Sequence, residues 1–305
     1  MRFKFKILTM FVVIISLIVG LASPAFSAEN DDSDVINEKL GVPIVVYGDT
    51  LTDEQKAEVQ ELLEVTNSEN VKEFSVTGQD AATYIDGDPH SRMFSSAKIV
   101  REEEGHGLVI NIVTPENITQ VTSEMYSNAL LTAGVENATV DVASPVKVTG
   151  HSALTGIYKA YDVEGETLDK ERMELANEEL DVATDLAEKE GMSQEKVSEL
   201  LTEIKKQIAE QNPATKEDVE RIVKEQLDKL EISLSEEDRQ LLIDLFEKMR
   251  NLNIDFDQVR SQLDDIANTI KDQLGDLNIE VDEGFWEKVQ NFFRDLFKQL
   301  TSLFE

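Results

Sequence analysis

Cysteine is missing from this chain of 305 residues, and tryptophan occurs once and histidine three times. Without cysteine the protein forms no disulfide, offers no thiol nucleophile and cannot carry the lipid-modified cysteine of a bacterial lipoprotein. One tryptophan and five tyrosines are few for a cleft that stacks sugar rings. No glycine-rich phosphate-binding loop is present either. Stability must therefore come from packing, and thiol chemistry is excluded.

Basic residues are scarce: 29 lysines and arginines stand against 62 aspartates and glutamates, which gives a formal net charge of −33. A field of this sign repels phosphate backbones and anionic lipid headgroups, so nucleic-acid binding is excluded. The expected partners are cations, basic surfaces or apolar faces. Solubility alone also explains the charge, because acids and bases alternate along the apparent helix faces.

The first 27 residues have the order of a bacterial secretory signal peptide. Basic residues open the chain, an apolar run extends from Ile7 to Leu21, and small residues at Ala25 and Ser27 mark a peptidase site. The run is short for a bilayer span, which takes roughly 20 residues. We expect cleavage after Ser27 and a secreted or cell-surface protein without an integral membrane span. An uncleaved membrane anchor is the alternative.

The pattern of the sequence changes near residue 165 and predicts an α+β fold. After an acidic lead-in at 28–40, residues 41–165 alternate β-branched runs with short helical segments and predict a mixed α/β domain. Residues 166–305 have helical periodicity almost throughout and predict a helical domain. In the first region, runs at 97–102 and 108–114 are joined by a glycine-containing loop, which predicts a β-hairpin.

Capping residues mark several helix starts. A helix is expected over 118–133, closed by Gly134 in the left-handed conformation. Ser193 is expected to cap another helix. The spacing of a capping box occurs at Thr52 with Gln55, Thr215 with Asp218 and Ser235 with Asp238.

The segments GVPIVVYGDTLTDEQKAEV at 41–59 and ITQVTSEMYSNALLTAGVENATVDVASPVKVTGHSALTGIYKAYD at 118–162 resemble a known family. This family is the YpuA-like secreted proteins of Gram-positive bacteria, domain-of-unknown-function family 1002. The similarity extends over nearly the whole mature chain. It implies export by a Gram-positive cell and supplies no activity, so no functional residues are carried over.

Two serines have spacings that suggest catalysis. Ser152 lies in Gly-His-Ser-Ala-Leu, but Leu154 stands where a nucleophile elbow needs glycine, and no histidine follows the serine. We expect Ser152 to be a helix N-cap instead. Ser193 and Lys196 have the spacing of penicillin-interacting enzymes, yet the partner motifs of those enzymes are missing. No catalytic residue is assigned.

Metal ligation is left open, and no cofactor is expected. Asp86, Asp88 and His90 offer three ligands in a turn, but the same residues are ordinary turn chemistry. The acidic run from Asp276 to Glu287 imitates a calcium loop, but Val281 stands where that loop needs glycine. Carboxylates are so numerous that a glycosidase-like pair cannot be selected from spacing.

A wide aromatic face is predicted for a final helix at 285–304. Docking of this face on the protein's own core is one interpretation, and binding of a partner helix or a membrane is the other. Few basic residues lie in this segment, so a protein partner is favoured over lipid. The candidate partner-binding residues are Phe285, Trp286, Phe292, Phe293, Phe297 and Phe304.

These observations favour an exported, non-enzymatic protein that binds a partner, an envelope protein or polymer, at the cell envelope or outside the cell. One alternative is a carboxylate-dependent hydrolase that acts on a wall polymer or peptide, and another is a low-affinity calcium-binding protein. A convergent acidic pair in a deep cleft would favour the enzyme.

We predict that the mature protein begins at Ala28, because the peptidase site ends at Ser27. Mass spectrometry of the protein recovered from culture medium or the cell surface measures this terminus. Recovery of a chain that still begins at Met1 would contradict the prediction.

Overall fold

The computed structural model describes residues 40–189, 191–252, 254, 256 and 259–276. The expected signal peptide, residues 28–39 of the acidic lead-in and the aromatic segment at 285–304 lie outside these residues, as does most of the acidic run that begins at Asp276. The partner-binding role of the six aromatic residues therefore stays a prediction. Within the described residues, no helix has both the length and the hydrophobicity that crossing a membrane requires.

One mixed sheet contains five strands, β1 (Ile44–Gly48), β2 (Lys72–Val76), β3 (Ser96–Arg101), β4 (Leu108–Ile112) and β5 (Ala138–Ala143). Their order across the sheet is β2-β1-β3-β5-β4. β1 is parallel to β2 and β5 is parallel to β4, whereas β3 is antiparallel to both of its neighbours, β1 and β5.

The predicted hairpin is wrong, because β5 lies between β3 and β4. Val140 of β5 pairs with Ile99 of β3 on one side and with Ile110 of β4 on the other. The inward residues of β5 are completely buried, as a central strand requires. β4 carries the exposed residues Val109 and Asn111 and so tolerates a position at the edge.

Helices cover both faces of the sheet, and in chain order they are α1 (Asp53–Leu62), α2 (Gly78–Ile85), α3 (Ser123–Ala133) and α4 (Ser152–Val163). α1 buries Val59 against Val45 and Tyr47 on one face. α3 and α4 pack on the other face, and α2 packs beside α4. Gly156 of α4 faces β1, and a Cβ atom at this position would lie at an ordinary contact distance of 3.5 Å from a side-chain carbon of Val46.

The second half of the described chain forms α5 (Lys170–Lys189), α6 (Gln194–Gln211), α7 (Lys216–Lys229), α8 (Glu236–Asn251) and α9 (Arg260–Asp276). These helices pack on α3 and on one another. The capping boxes at Thr52 and Thr215 are confirmed, and Ser193 and Ser235 accept hydrogen bonds from the first turns of α6 and α8. A mixed sheet with a helical layer confirms the α+β class.

α3 is the central helix. Every residue from Glu124 to Ala133 is buried, because the sheet lies on one side and α5, α6 and α9 pack on the helix from the other. Gly134 closes α3 in the left-handed conformation, as predicted, with φ of 95°. A helix without access to water needs protein partners for its polar side chains.

The start of α3 differs from the prediction. The helix begins at Ser123, with Thr122 as its N-cap, rather than at Ile118. Ile118 instead forms a parallel bridge with Val148, and Thr119 N donates a hydrogen bond to Val148 O at 2.9 Å. Pairing with a distant segment therefore overrides the helical periodicity of residues 118–122.

The hydrophobic core continues across residue 165, where the pattern of the sequence changes. It includes Val140 of the sheet, Leu130 of α3, Leu180 of α5 and Ile204 of α6. The α/β region and the helical region therefore share buried surface.

Lys205 of α6 and Glu179 of α5 form an ion pair within this core. The side chains are 0% and 1% exposed, and Lys205 Nζ lies 2.6 Å from Glu179 Oε1. Lys205 Nζ also donates to the carbonyl oxygen of Asn128 at 2.7 Å, and Thr132 Oγ1 donates to Glu179 Oε2 at 2.6 Å. Burial lowers the pKa of the Lys205 ammonium, and the Glu179 carboxylate opposes that change. The pair joins α3, α5 and α6 where water has no access.

Lys205→Met should lower the free energy of unfolding by about 3–5 kcal/mol, because it leaves the Glu179 carboxyl buried without its counter-charge. Urea denaturation followed by circular dichroism measures the change as a lower midpoint. Lys170→Met is the matched control, since Lys170 pairs with Glu174 on the exposed surface of α5. Such a pair contributes about 0–1 kcal/mol, so equal effects of the two substitutions would contradict the role of the buried pair.

Candidate functional site

A cleft of about 480 Å³ lies between α2, the first turn of α4 and the loop at residues 86–95, here called the cleft loop. Its lining contains no aspartate or glutamate, although the chain has 62 acidic residues. The charged and titratable groups of the lining are all basic: Arg92, Lys147 and His151.

The cleft loop is fixed by backbone contacts that only glycine allows. A Cβ atom on Gly48 would lie 2.3 Å from Met93 O, and one on Gly78 would lie 2.4 Å from Pro89 O. Thr50 adds two hydrogen bonds of 3.0 Å, one from its N–H to Met93 O and one from Met93 N to its Oγ1. The loop therefore packs directly on the end of β1 and the start of α2, and this packing places Arg92 at the cleft.

Among the residues that the structure describes, Arg92 and Lys147 have no acidic partner. Most lysines and arginines of the described chain form ion pairs, as expected where acids outnumber bases about two to one. Neither Arg92 nor Lys147 forms an ion pair or a hydrogen bond with any residue that the structure describes. Arg92 instead lies over the ring of Phe94, with 5.8 Å between the guanidinium carbon and the ring centre. Two uncompensated positive charges attract anions locally.

Hydroxyl groups and a helix start add to this positive site. Thr155 belongs to the lining and is 1% exposed, and its Oγ1 has no hydrogen-bond partner among the described residues. α4 begins at the cleft without a side-chain cap. The N-terminus of a helix carries partial positive charge, so it favours an anion in the same place as the two cations.

Ser152 is not the N-cap predicted from the sequence. The cap position is His151, which already has helical backbone angles (φ −56°, ψ −33°) and makes no capping bond. An effective cap needs extended angles at the cap position. Ser152 is therefore the first residue of α4, and its Oγ accepts a hydrogen bond from Ser95 N at 3.3 Å.

α5 contacts His151 at the rim of the cleft. Nε2 lies 3.3 Å from Asp181 Oδ1 and 3.4 Å from Thr184 Oγ1. Burial lowers the pKa of His151, and the charge of Asp185 opposes this. Partial burial, together with the charges of Asp185 and Glu178, raises the pKa of Asp181 to about 6. Asp181 is 58% exposed, so the contact adds little stability.

The serine motifs do not form catalytic pairs. His151 Nε2 contacts α5 rather than Ser152, whose Oγ is occupied by the N–H of Ser95. Ser193 caps α6 as predicted, and Lys196 pairs with Glu199 at 3.0 Å. Both serines therefore have structural roles in the described fold.

The predicted metal ligands form a turn. Asp88 Oδ1 accepts the backbone N–H of His90 at 2.8 Å and lies 3.1 Å from His90 Nδ1. These contacts are typical of an Asx turn. Among the residues that the structure describes, no group of three histidine or acidic side chains is placed to hold a metal ion.

Two further clefts are lined by acids. A cleft of about 440 Å³ contains three glutamates and Arg101, which pairs with Glu166. A groove of about 620 Å³ beside α3, α6 and α9 contains Glu124 and Glu195 and no basic residue. Neither site has the uncompensated positive charge of the first cleft.

Arg92 and Lys147 belong to no motif, and neither is predicted from the sequence. A signal for them is nevertheless present: residues 89–101 and 142–161 contain no aspartate or glutamate and are the longest such stretches after the first 27 residues. Arg92 lies in one stretch, and Lys147 and His151 lie in the other. In so acidic a chain, these stretches mark a surface without negative charge.

Comparison with known proteins gives a family without an activity. The sequence matches the family described as "Protein of unknown function (DUF1002)" over residues 47–266. It is 35% identical over 204 residues to the uncharacterized protein YpuA of Bacillus subtilis (strain 168), an alignment that covers 65% of this chain and 68% of that protein. No solved structure gives a significant match. The family match includes the whole lining of the cleft.

We expect His151 to titrate below the ordinary value of 6.5, because burial disfavours its charged form. A lowered native pKa means that the stability this histidine contributes is present above the unfolded pKa and is lost as the pH falls through the native pKa. Asp185→Asn should lower the pKa of His151 further, since the Asp185 carboxylate stabilises the imidazolium. NMR titration of the ring signals measures both effects. A pKa at or above 6.5, or a rise in the variant, would show that His151 lies elsewhere.

Proposed function

We propose that this chain, which belongs to the DUF1002 family of proteins of unknown function, is an exported protein that binds an anionic ligand in the cleft. One observation carries the proposal: Arg92 and Lys147 line the same cleft, and neither forms an ion pair with a described residue, in a protein with a net charge of −33. Two such unpaired cations in one cleft of so acidic a chain are available to a ligand.

The net charge of the protein does not prevent this binding. At physiological ionic strength, screening reduces the effect of exposed charges beyond about 8 Å. Arg92, Lys147 and the start of α4 line the cleft, whereas no acid among the described residues does. Asp86 and Asp88 are in the cleft loop but do not line the cleft. The local positive field therefore dominates at the binding position, and charge-assisted hydrogen bonds add to it.

In this cleft, binding without turnover is favoured over hydrolysis. A carboxylate-dependent hydrolase needs two acids that converge on the substrate, and the lining of the cleft contains none. Ser152 is engaged by a backbone N–H, and His151 Nε2 contacts Asp181 and Thr184. These placements support a binding role for the described residues.

Export is the second part of the proposal. It is supported by the basic, apolar and small-residue order of residues 1–27. The aromatic segment at 285–304 is proposed as a separate partner-binding element, independent of the cleft. The two sites differ in chemistry, since one is cationic and the other aromatic.

The unaltered protein should bind inorganic phosphate at pH 7.5 and low salt, as measured by isothermal titration calorimetry. Arg92→Gln and Lys147→Gln should each weaken binding about tenfold or more, because each removes a charge-assisted contact. Raising the ionic strength should also weaken binding.

Lys224→Gln is the matched control. Lys224 is an exposed lysine of α7 that forms no ion pair with a described residue and lies outside the cleft lining. It changes the net charge by the same amount as Lys147→Gln. If all three substitutions weaken phosphate binding equally, the effect comes from net charge, and the cleft is not the binding site.

A further inference from the structure

We infer that the ligand of the cleft is an organic phosphate, in which an anionic phosphoryl group is joined to an apolar body. This inference rests on the proposed function and adds the chemical class of the ligand. The cleft volume of about 480 Å³ lies within the roughly 300–1,000 Å³ of sites that hold drug-sized molecules. Inorganic phosphate would fill only a small part of this space.

The segments that form the cleft differ in chemistry. α2 contributes the apolar side chains of Ala81 and Ile85, and the cleft loop contributes Met93 and Phe94. The segment from residue 147 to residue 152 contributes ammonium, hydroxyl and imidazole groups. Of the four apolar residues, Ile85 and Phe94 are partly exposed. A purely ionic ligand would leave their apolar surface in water, and a purely apolar ligand would bury the cations without a partner. A ligand with both parts satisfies both surfaces.

The cationic groups favour a phosphoryl group over a carboxylate. Arg92 and Lys147 bring two permanent charges, and Thr155 brings a buried hydroxyl without a partner. A phosphate monoester carries nearly two negative charges and three acceptor oxygens at neutral pH. A carboxylate has one charge and two oxygens, so it would leave one cation uncompensated.

Four probes test the ligand class on the unaltered full chain: phenyl phosphate, inorganic phosphate, benzoate and benzyl alcohol. Phenyl phosphate should bind about tenfold or more tightly than each of the other three, because it alone buries apolar surface and neutralises both cations. Calorimetry at pH 7.5 gives the four dissociation constants. The same samples, assayed for released phenol, should show none.

Variants locate the apolar half of the site. Ile85→Ala should weaken phenyl phosphate severalfold and leave inorganic phosphate within twofold. Arg92→Gln should weaken both ligands. Leu241→Ala is the control for loss of apolar surface, since Leu241 is an exposed residue of α8 outside the cleft, and it should change neither.

The outcomes separate this inference from the proposed function. Equal binding of phenyl phosphate and inorganic phosphate, both lost in Arg92→Gln, would overturn the organic ligand and keep the anion site. Equal binding of phenyl phosphate and benzoate would overturn the phosphoryl group. Equal binding of phenyl phosphate and benzyl alcohol would overturn the anionic part. No binding of any probe would overturn both proposals. Release of phenol would show that the protein hydrolyses the ligand and would overturn the proposal of binding without turnover.

Discussion

α3 is buried from Glu124 to Ala133, so its polar groups depend on partners inside the protein. The ion pair of Lys205 and Glu179 supplies two of these partners. The Lys205 ammonium donates a hydrogen bond to the Asn128 carbonyl oxygen, and the Glu179 carboxylate accepts one from the Thr132 hydroxyl. The amide of Asn128 donates in turn to Thr202 Oγ1 at 2.9 Å. Apolar surfaces tolerate small sliding movements, whereas these directional contacts fit one alignment of α3, α5 and α6.

The alignment of α3, α5 and α6 also affects the cleft, because α5 contacts the rim of the cleft. Glu179 ties the middle of α5 to α3, and Asp181 and Thr184 on the following turn contact His151. His151 precedes α4, so the rim of the cleft is set by a helix that the buried pair positions. On its other side, the cleft is supported by the close backbone contact of the cleft loop with Gly48 and Gly78. The site is therefore held by a polar core on one side and by close backbone packing on the other.

Local features of the fold are predictable from the sequence, because their causes lie within a few residues. Capping boxes and the glycine after α3 give helix ends correctly, since the cap and the groups it satisfies are neighbours in the chain. The position of β5 depends on which strand is apolar enough for the centre of the sheet. Deciding this requires a comparison of segments that lie far apart in the sequence. Ser152 shows a subtler limit, since a serine at a helix start caps only when its own backbone angles are extended.

Sequence motifs do not predict the cleft, for a similar reason. Its cations come from two segments that meet only in the folded protein, and each alone is an ordinary exposed basic residue. What the sequence does contain is the lack of acids around them. In a strongly charged protein, the places where the dominant charge is missing therefore hold more information about binding than the places where it is abundant.

The central position of β5 also determines when the chain is able to fold. β3 and β4 lack their shared neighbour until residue 143 has left the ribosome or a translocation channel. The packing of α3 is complete only after α5 and α6, which follow it in the sequence, have also emerged. Contacts of such long sequence separation make folding slow. Most of the chain thus emerges before a stable core exists.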